Sequence, residues 1–389
     1  MLRVRVRSRP GHPWVFSNEI LDPPVAQLPS AGEAVEVTDA AGRVLGRGYC
    51  NPHSLITLRM VTRGAHGDLD QVDLWAERVR AALDLRTRVL PGRRSYRLIA
   101  GEADGMPGLL VDRYEDVLVC QITTLGMERR KELLRQALEQ VVAPRGAVLR
   151  NDVGSRALEG LPTDTNEVWF GDVPDVVAFE ENGVRLCADV REGQKTGFFF
   201  DQATNRAFSH PLVKGLRVLD VYAHTGAWAL GALVHGARHA TAIDVSAGAC
   251  ALIRENAALN DVTDRMTVVC DDARTAMERL AAAGERYDIV FLDPPAFAKN
   301  RKKAGVALGA YKSNNADALR LLAPGGLLFT SSCSHHVLAD RFEDAVTAGA
   351  RQAGRSLQLL RRGGQAPDHP ILPGVPETEY LKHLVFLAR

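Results

Sequence analysis

No two cysteines of this 389-residue chain stand in C-x-x-C spacing; Cys50, Cys120, Cys187, Cys250, Cys270 and Cys333 are scattered along it. That pattern argues against a zinc site or other metal centre and against a disulfide framework, and it suits a reducing compartment. Long hydrophobic runs are missing as well. No stretch is long enough to span a bilayer and the N-terminus lacks an apolar secretory segment, so the expectation is a cytoplasmic protein with no membrane partner. A charge imbalance is nearly absent, with a formal net charge of +1. Binding to nucleic acid would therefore have to rest on local basic patches. There is no repeat and no low-complexity tract. What remains is ordinary globular material, 46% hydrophobic and 24% charged, at a length that suggests two or three domains.

The stretch from Leu216 to Asp244, LRVLDVYAHTGAWALGALVHGARHATAID, organises the rest. Its apolar run over Leu216–Val221 reads as a strand buried on both faces, with Asp220 near its end. Tyr222-Ala223-His224-Thr225-Gly226 is the turn. A helical pattern follows, with Trp228, Leu230, Leu233 and Val234 inward. A second strand ends on Asp244, 24 residues after Asp220. An acid in that place suits the two hydroxyls of a ribose. The turn lacks the G-x-G-x-x-G of a pyrophosphate site, because Gly226 stands alone in it. Asp220 would repel a phosphate and favour a cation. S-adenosylmethionine (SAM), a sulfonium with no phosphate, fits better than a nicotinamide dinucleotide. An ordinary β-α-β unit with no ligand is the bland alternative.

Taken in order, the chain begins with MLRVRVRSR, in which Arg3, Arg5, Arg7 and Arg9 share one face of a strand and Leu2, Val4 and Val6 the other. This is either a solvated edge strand or a strip that contacts phosphates. Short strands at Ala34–Thr38, Arg43–Leu45 and Leu55–Val61, separated by glycines, imply a small β-rich module over residues 1–68. A helix is expected over about 70–87. Arg86, Arg88, Arg93, Arg94 and Arg97 then lie in an arginine-rich linker, read as a solvated loop or an RNA-contacting patch. Residues 69–190 are expected to form a small α+β domain, with a hairpin at Gly108–Tyr114 and Val117–Thr123, one helix from Leu125 to Val142, and strands at Ala147–Arg150, Val176–Glu180 and Val184–Ala188. Residues 191–389 alternate strand and helix before a closing hairpin. That order predicts a Rossmann-like α/β domain with a seven-stranded sheet and a reversed last strand.

Loops after successive strands of such a sheet converge at one crevice. The fourth loop is Asp293-Pro294-Pro295-Ala296-Phe297, whose prolines hold the acid rigidly at the sheet edge. The fifth is Ser331-Ser332-Cys333-Ser334-His335-His336. Asp272, after the third strand, is placed to accept from an adenine amino group. Among the six cysteines only Cys333 sits in a polar, His-flanked loop after a strand; a small buried residue is its bland alternative.

DPPAFAKNRKK, SSCSHH, GQKTGFFFDQATNR, IAGEADGMPGLLVDRY and GHPWVFSNEI together resemble the bacterial large-subunit (23S) rRNA cytosine-5 methyltransferases with an N-terminal PUA domain. The similarity runs along nearly the whole chain. It implies an RNA-binding PUA-like module, a central α+β domain and a class I SAM-dependent methyltransferase domain acting on naked or partly assembled ribosomal RNA. It leaves a homodimer open. The family's cofactor contacts fall on Gln202, Arg206, Asp220, Gly226, Asp244, Asp272 and Asp293, with Tyr222 and Thr225 in the same turn. Its nucleophile falls on Cys333, with Asp293 as the second catalytic group. Arg3, Arg5, Arg7, Arg9, Lys299 and Arg301 are the expected RNA contacts. In this chain Ala227 follows Gly226 where a second glycine is frequent.

The chemistry accounts for these residue types. C5 of cytosine is a poor nucleophile, and a thiolate added at C6 makes it enamine-like. The base must leave its stack to present both faces. Two-cysteine enzymes of related chemistry carry a second Cys where Ala296 stands. The sequence does not name the base that removes the C5 proton. Two other readings stay open: an exocyclic-amine methyltransferase using Asp293-Pro294-Pro295, and a non-catalytic SAM-binding ribosome assembly factor.

Overall fold

A computed structural model describes residues 1–7, 11–298 and 301–389, without the side chain of Arg301. Two compact units emerge: residues 1–177 with 189–198 and 367–378, and residues 178–188 with 199–366 and 379–389.

The first unit contains two sheets. A six-stranded sheet runs in the order Trp14–Phe16, Ile56–Met60, Val44–Cys50, Ala34–Thr38, Leu2–Val6, Ile20–Asp22. Alternation places Val4 and Val6 inside and Arg3, Arg5 and Arg7 outside, as a half-buried strand requires. Leu2 stays exposed. The second sheet has five strands, with the antiparallel pair Leu109–Tyr114 and Val117–Ile122 inside it. Strand Glu167–Gly171, which the sequence reading missed, forms its edge beside Gly146–Leu149. Helices Val72–Val89 and Lys131–Val142 share its core, where the Trp75 indole donates to Leu69 O at 2.9 Å.

The arginines of this unit correct two sequence expectations. Arg86 is fully buried in its helix and grips Asp104, Arg97 O and Asp368 O. Arg97 is buried against Asp112. Buried charge persists only when paired in this way, so neither residue belongs to a basic surface patch. The single helix expected over Leu125–Val142 is broken into Leu125–Glu128 and Lys131–Val142. The cause is Arg130, whose backbone leaves helical geometry while its buried guanidinium turns inward onto Leu69 O, Gly32 O, Gly126 O and Asp70.

The second unit is built on a seven-stranded sheet. Its strands are β1 (Arg217–Val221), β2 (His239–Asp244), β3 (Met266–Cys270), β4 (Tyr287–Leu292), β5 (Leu322–Ser332), β6 (Leu357–Gly363) and β7 (Lys382–Ala388). They lie in the order β3-β2-β1-β4-β5-β7-β6. The first five are parallel; β7 runs antiparallel to both β5 and β6. This is the expected Rossmann-like fold with a reversed last strand. The buried strands read as near-continuous apolar runs because both faces are covered. Strand order reverses between β1 and β4, the place at the carboxyl ends where sheets of this kind bind their ligands. Helix Ala227–Val234 has Trp228, Leu230 and Leu233 inward as expected, whereas Val234 at its last position is 36% exposed. Residues 178–188 of the hairpin Val176–Glu181/Val184–Asp189 pack with this unit, where Cys187 N donates to Asn256 Oδ1 at 2.7 Å. Among the described residues no helix is long and apolar enough to cross a membrane.

Candidate active site

The turn after β1 is built under strain. Tyr222, His224 and Gly226 all have left-handed backbones, with φ of +66°, +53° and +79°. Glycine takes such a conformation freely, but the two others cost on the order of 1 kcal/mol each, a frequent signature of a functional turn. A Cβ at Gly226 would in addition meet Ile253 Cγ2 at 3.1 Å. The turn is held from outside. His224 N donates to Asp244 Oδ2 at 2.9 Å, Asn256 Nδ2 donates to Thr225 O, and Asn314 Nδ2 donates to the Tyr222 hydroxyl. Thr225 itself is buried. Asp244 also accepts from Ser246 N at 2.9 Å, which fixes the carboxylate plane at the end of β2. Asp272, exposed after β3, caps helix Ala273–Ala282 by accepting from Arg274 N and Thr275 N on Oδ1.

Four carboxylates crowd the centre: Asp220, Asp244, Asp293 and Asp201. Asp220 is fully buried; one oxygen accepts from Ala229 N at 3.1 Å, and Oδ1 has no partner. Burial pushes its pKa up to about 7, aided by the charges of Asp293 and Asp244. Asp293, enclosed but still reaching the surface, is raised to about 6 by burial and by Asp201. Asp201 accepts from the Tyr380 hydroxyl at 2.6 Å. Arg206 opposes both shifts, but its guanidinium is buried against Glu181 (2.6 and 3.0 Å) and Phe199 O. Arg206 thus reaches the site as a neighbouring charge.

A chain of hydrogen bonds ties the fourth loop to the fifth. Gln202 Nε2 donates to Asp293 Oδ2 at 2.9 Å and to Ser331 Oγ at 3.0 Å, while its Oε1 accepts from Asn205. Ser331 Oγ meets His383 Nδ1 at 2.8 Å. Burial lowers the His383 pKa to about 3, so the ring is neutral at physiological pH. His383 stacks on Trp228, whose other neighbour in the stack is Phe291. A second link runs from Ala298 N to Ser334 Oγ at 3.3 Å.

Cys333 lies between the two serines of this loop, half-buried. The Tyr311 hydroxyl holds both, at 2.9 Å from Ser332 Oγ and 2.9 Å from Ser334 Oγ. Cys250 is buried and its thiol donates to Asp244 O, while Cys270 lies in β3. The site therefore gathers Gln202, Asp220, Tyr222, Thr225, Gly226, Asp244, Asp293 and Cys333 on one sheet edge and its adjoining turns. Lys382, Ser331, His383, Asp201 and Tyr311 belong to it too. Of these, Ser331 stands in the polar loop read from the sequence; Lys382 and His383 carry only a weak signal, a charged and a polar residue that open an otherwise apolar strand. Arg3 and Arg5 lie on the first unit's six-stranded sheet, beside Glu36 (2.6 Å) and Asp22 (3.8 Å). Arg9, Lys299 and the Arg301 side chain lie outside the described residues. No cluster of three or more potential metal ligands occurs among the described residues.

The centre suits an organic cation. An unpartnered buried carboxylate oxygen on Asp220, next to further acids, attracts a sulfonium or ammonium and repels a pyrophosphate. The rigid Asp244 carboxylate suits ribose hydroxyls.

Comparison with known proteins agrees. A family model described as "Conserved hypothetical protein 95" matches residues 195–360, and a "PUA-like domain" model matches residues 5–63. The chain is 38% identical to ribosomal RNA large subunit methyltransferase I of Shewanella denitrificans over 99% of each chain. It is also 38% identical to the Tolumonas auensis protein of the same name, over 97% of this chain and 95% of the other. In fold it resembles a proposed SAM-dependent methyltransferase of Streptococcus mutans (TM-score 0.83, 18% identity, all of both chains). A second such structure, a methyltransferase complexed with SAH, gives TM-score 0.84 at 19% identity, again over all of both chains.

Proposed function

Since the chain belongs to the ribosomal RNA large subunit methyltransferase I family, we propose that it is a SAM-dependent methyltransferase that forms 5-methylcytidine in 23S ribosomal RNA in the cytoplasm. The observation that carries the choice of C5 is the hydrogen-bonded joining of the Cys333 loop to the Asp293 loop through Gln202, Ser331, Ser334 and Ala298. These bonds tie the backbone on either side of Cys333 to the Asp293 loop, which supports a joint role for the two residues. Methylation of an exocyclic amine needs no such cysteine.

SAM, when bound, supplies an electrophilic methyl group. Asp220, Asp244 and the turn Tyr222–Gly226 are the residues that would hold it, with Gln202 beside them, Asp272 toward the adenine and Arg206 as a balancing charge. Cys333 as thiolate adds to C6 of an extruded cytosine, and the electron pair of the C5–C6 double bond becomes available at C5. Asp293, with its pKa raised to about 6, exchanges a proton readily near neutrality and hydrogen-bonds the ring N3 and amino edge, where charge develops. Once C5 carries the methyl group, its proton passes to solvent, the C5–C6 double bond re-forms, and the C–S bond breaks with its electron pair returning to sulfur as thiolate. The β-rich module with Arg3, Arg5, Arg7 and Arg9, together with Lys299 and Arg301, supplies RNA affinity through phosphate contacts.

Nucleoside mass spectrometry of large-subunit RNA treated with the protein and isotopically labelled SAM tests this. The expected product is labelled 5-methylcytidine. A labelled N-methylated base would replace the C5 reading with the exocyclic-amine one, and no labelled nucleoside would favour an assembly factor.

A further inference from the structure

The strand that brings a cation to the nucleophile comes from the far end of the chain. In the antiparallel pairing of β5 and β7, Lys382 stands opposite Ser332, the residue before Cys333. Its ammonium donates to Ser334 O at 2.6 Å, on the residue after Cys333, and to Tyr380 O at 2.8 Å. Two of its three protons are thus fixed, one on a carbonyl of the Cys333 loop and one on a carbonyl two residues before Lys382 itself. An ammonium has three donors and no acceptor, so the third remains for an anion on the same side.

We propose that Lys382 is the positioning residue for the nucleophile: its pinned ammonium stabilises the Cys333 thiolate and keeps it ready before the cytosine arrives. This rests on the reading of Cys333 as nucleophile. The surrounding charges agree with it. Burial lowers the Lys382 pKa to about 8, against the pull of the Cys333 thiolate and the Glu379 carboxylate. The lysine therefore stays charged at neutral pH. Tyr311 is the titratable group on the helix side, and burial raises its pKa, so it remains a neutral hydroxyl bound to Ser332 and Ser334. His335, next along the loop, packs on Tyr380. Lys382 keeps its proton throughout; the thiol loses its own to solvent before attack, and the thiolate returns to the same ammonium when the C–S bond breaks. A thiolate carrying this ammonium as its neighbour has its pKa lowered.

The test is the pH dependence of iodoacetamide alkylation at Cys333, read on the Cys333 peptide by mass spectrometry in the full-length protein. Lys382→Met should raise the midpoint by about one unit and slow alkylation at pH 7 about tenfold. Lys382→Arg should restore most of the wild-type profile. A Lys382→Met profile equal to wild type, in protein that still unfolds cooperatively, overturns the proposal. The reciprocal measurement needs no change at position 382. Trace acetylation of Lys382 should speed up near pH 7.5 in Cys333→Ala, because its anion is gone; equal rates in the two proteins overturn the proposal as well. Both assays read labelling and not methylation, so they fail separately from the nucleophile reading. The nucleophile reading fails instead if Cys333→Ala still methylates RNA.

Discussion

Replacing Asp220 with Asn should stabilise the protein more and more as the pH rises. The carboxylate is fully buried, with one hydrogen bond and one unpartnered oxygen, and its pKa stands at about 7 in the folded protein. In the unfolded chain an Asp titrates near 3.9. A carboxyl with a raised folded pKa holds its proton more tightly when folded, so stability is lost as pH climbs from the unfolded value through the folded one. Between pH 5 and pH 8 the two pKa values give a loss of about 2–3 kcal/mol from this group. Asparagine does not titrate, and whatever its amide costs at the site is the same at every pH. The difference in unfolding free energy between Asp220→Asn and wild type should therefore grow by about that amount from pH 5 to pH 8. Urea unfolding followed by tryptophan fluorescence reads it, with Trp228, packed on Phe291, as a local reporter. Asp293, raised to about 6, titrates in both proteins and largely cancels. A pH-independent difference would refute the placement of a buried carboxylate with an unpartnered oxygen at the centre of the site. The same substitution should weaken SAM, because the cation loses its counter-charge. Wild-type affinity for SAM should rise with pH up to about 7 and level off above.

Asp244→Ala should weaken SAM binding by about 1–3 kcal/mol in calorimetry, the usual cost of leaving hydrogen-bonding groups unpaired. Tight binding of NAD with none of SAM would sink the cofactor assignment. Neutralising Arg3, Arg5 and Arg7 should reduce the slope of log affinity for RNA against log salt by about one for each arginine that touches a phosphate. An unchanged slope would move RNA binding to other basic residues.

The sheet was legible because parallel buried strands write themselves as apolar runs and each carboxyl end is marked by a polar loop. The alternation of strand and helix expected over residues 191–389 is there, with strand Tyr287–Leu292 and helix Ala247–Leu259 among its elements. Asp220, Asp244, Asp293 and Cys333 could be picked out as candidates because they lie at or just past the carboxyl ends of those runs. What stayed hidden is what long-range pairing decides. Lys382 and His383 lie about fifty residues beyond the loop they serve, and only the antiparallel register of β7 sets them against Ser332 and Ser331. Arg86, Arg97 and Arg130 look like surface residues in a basic stretch, since nothing local announces the buried acids and carbonyls that receive them. The strain at Tyr222 and His224 is likewise invisible in a sequence whose turn holds a single glycine.

RNA carrying 5-fluorocytidine gives the most direct test of the central claim. Fluorine at C5 cannot leave as a proton does, so the C–S bond formed by Cys333 persists after methyl transfer. Denaturing electrophoresis and mass spectrometry of the wild-type protein with this RNA and SAM should show a covalent protein–RNA adduct, its methylated crosslink mapping to Cys333. Cys333→Ala should give no adduct and no methylated RNA while binding SAM nearly as well as wild type. Full methylation by Cys333→Ala, with an N-methylated base as product, would contradict the account.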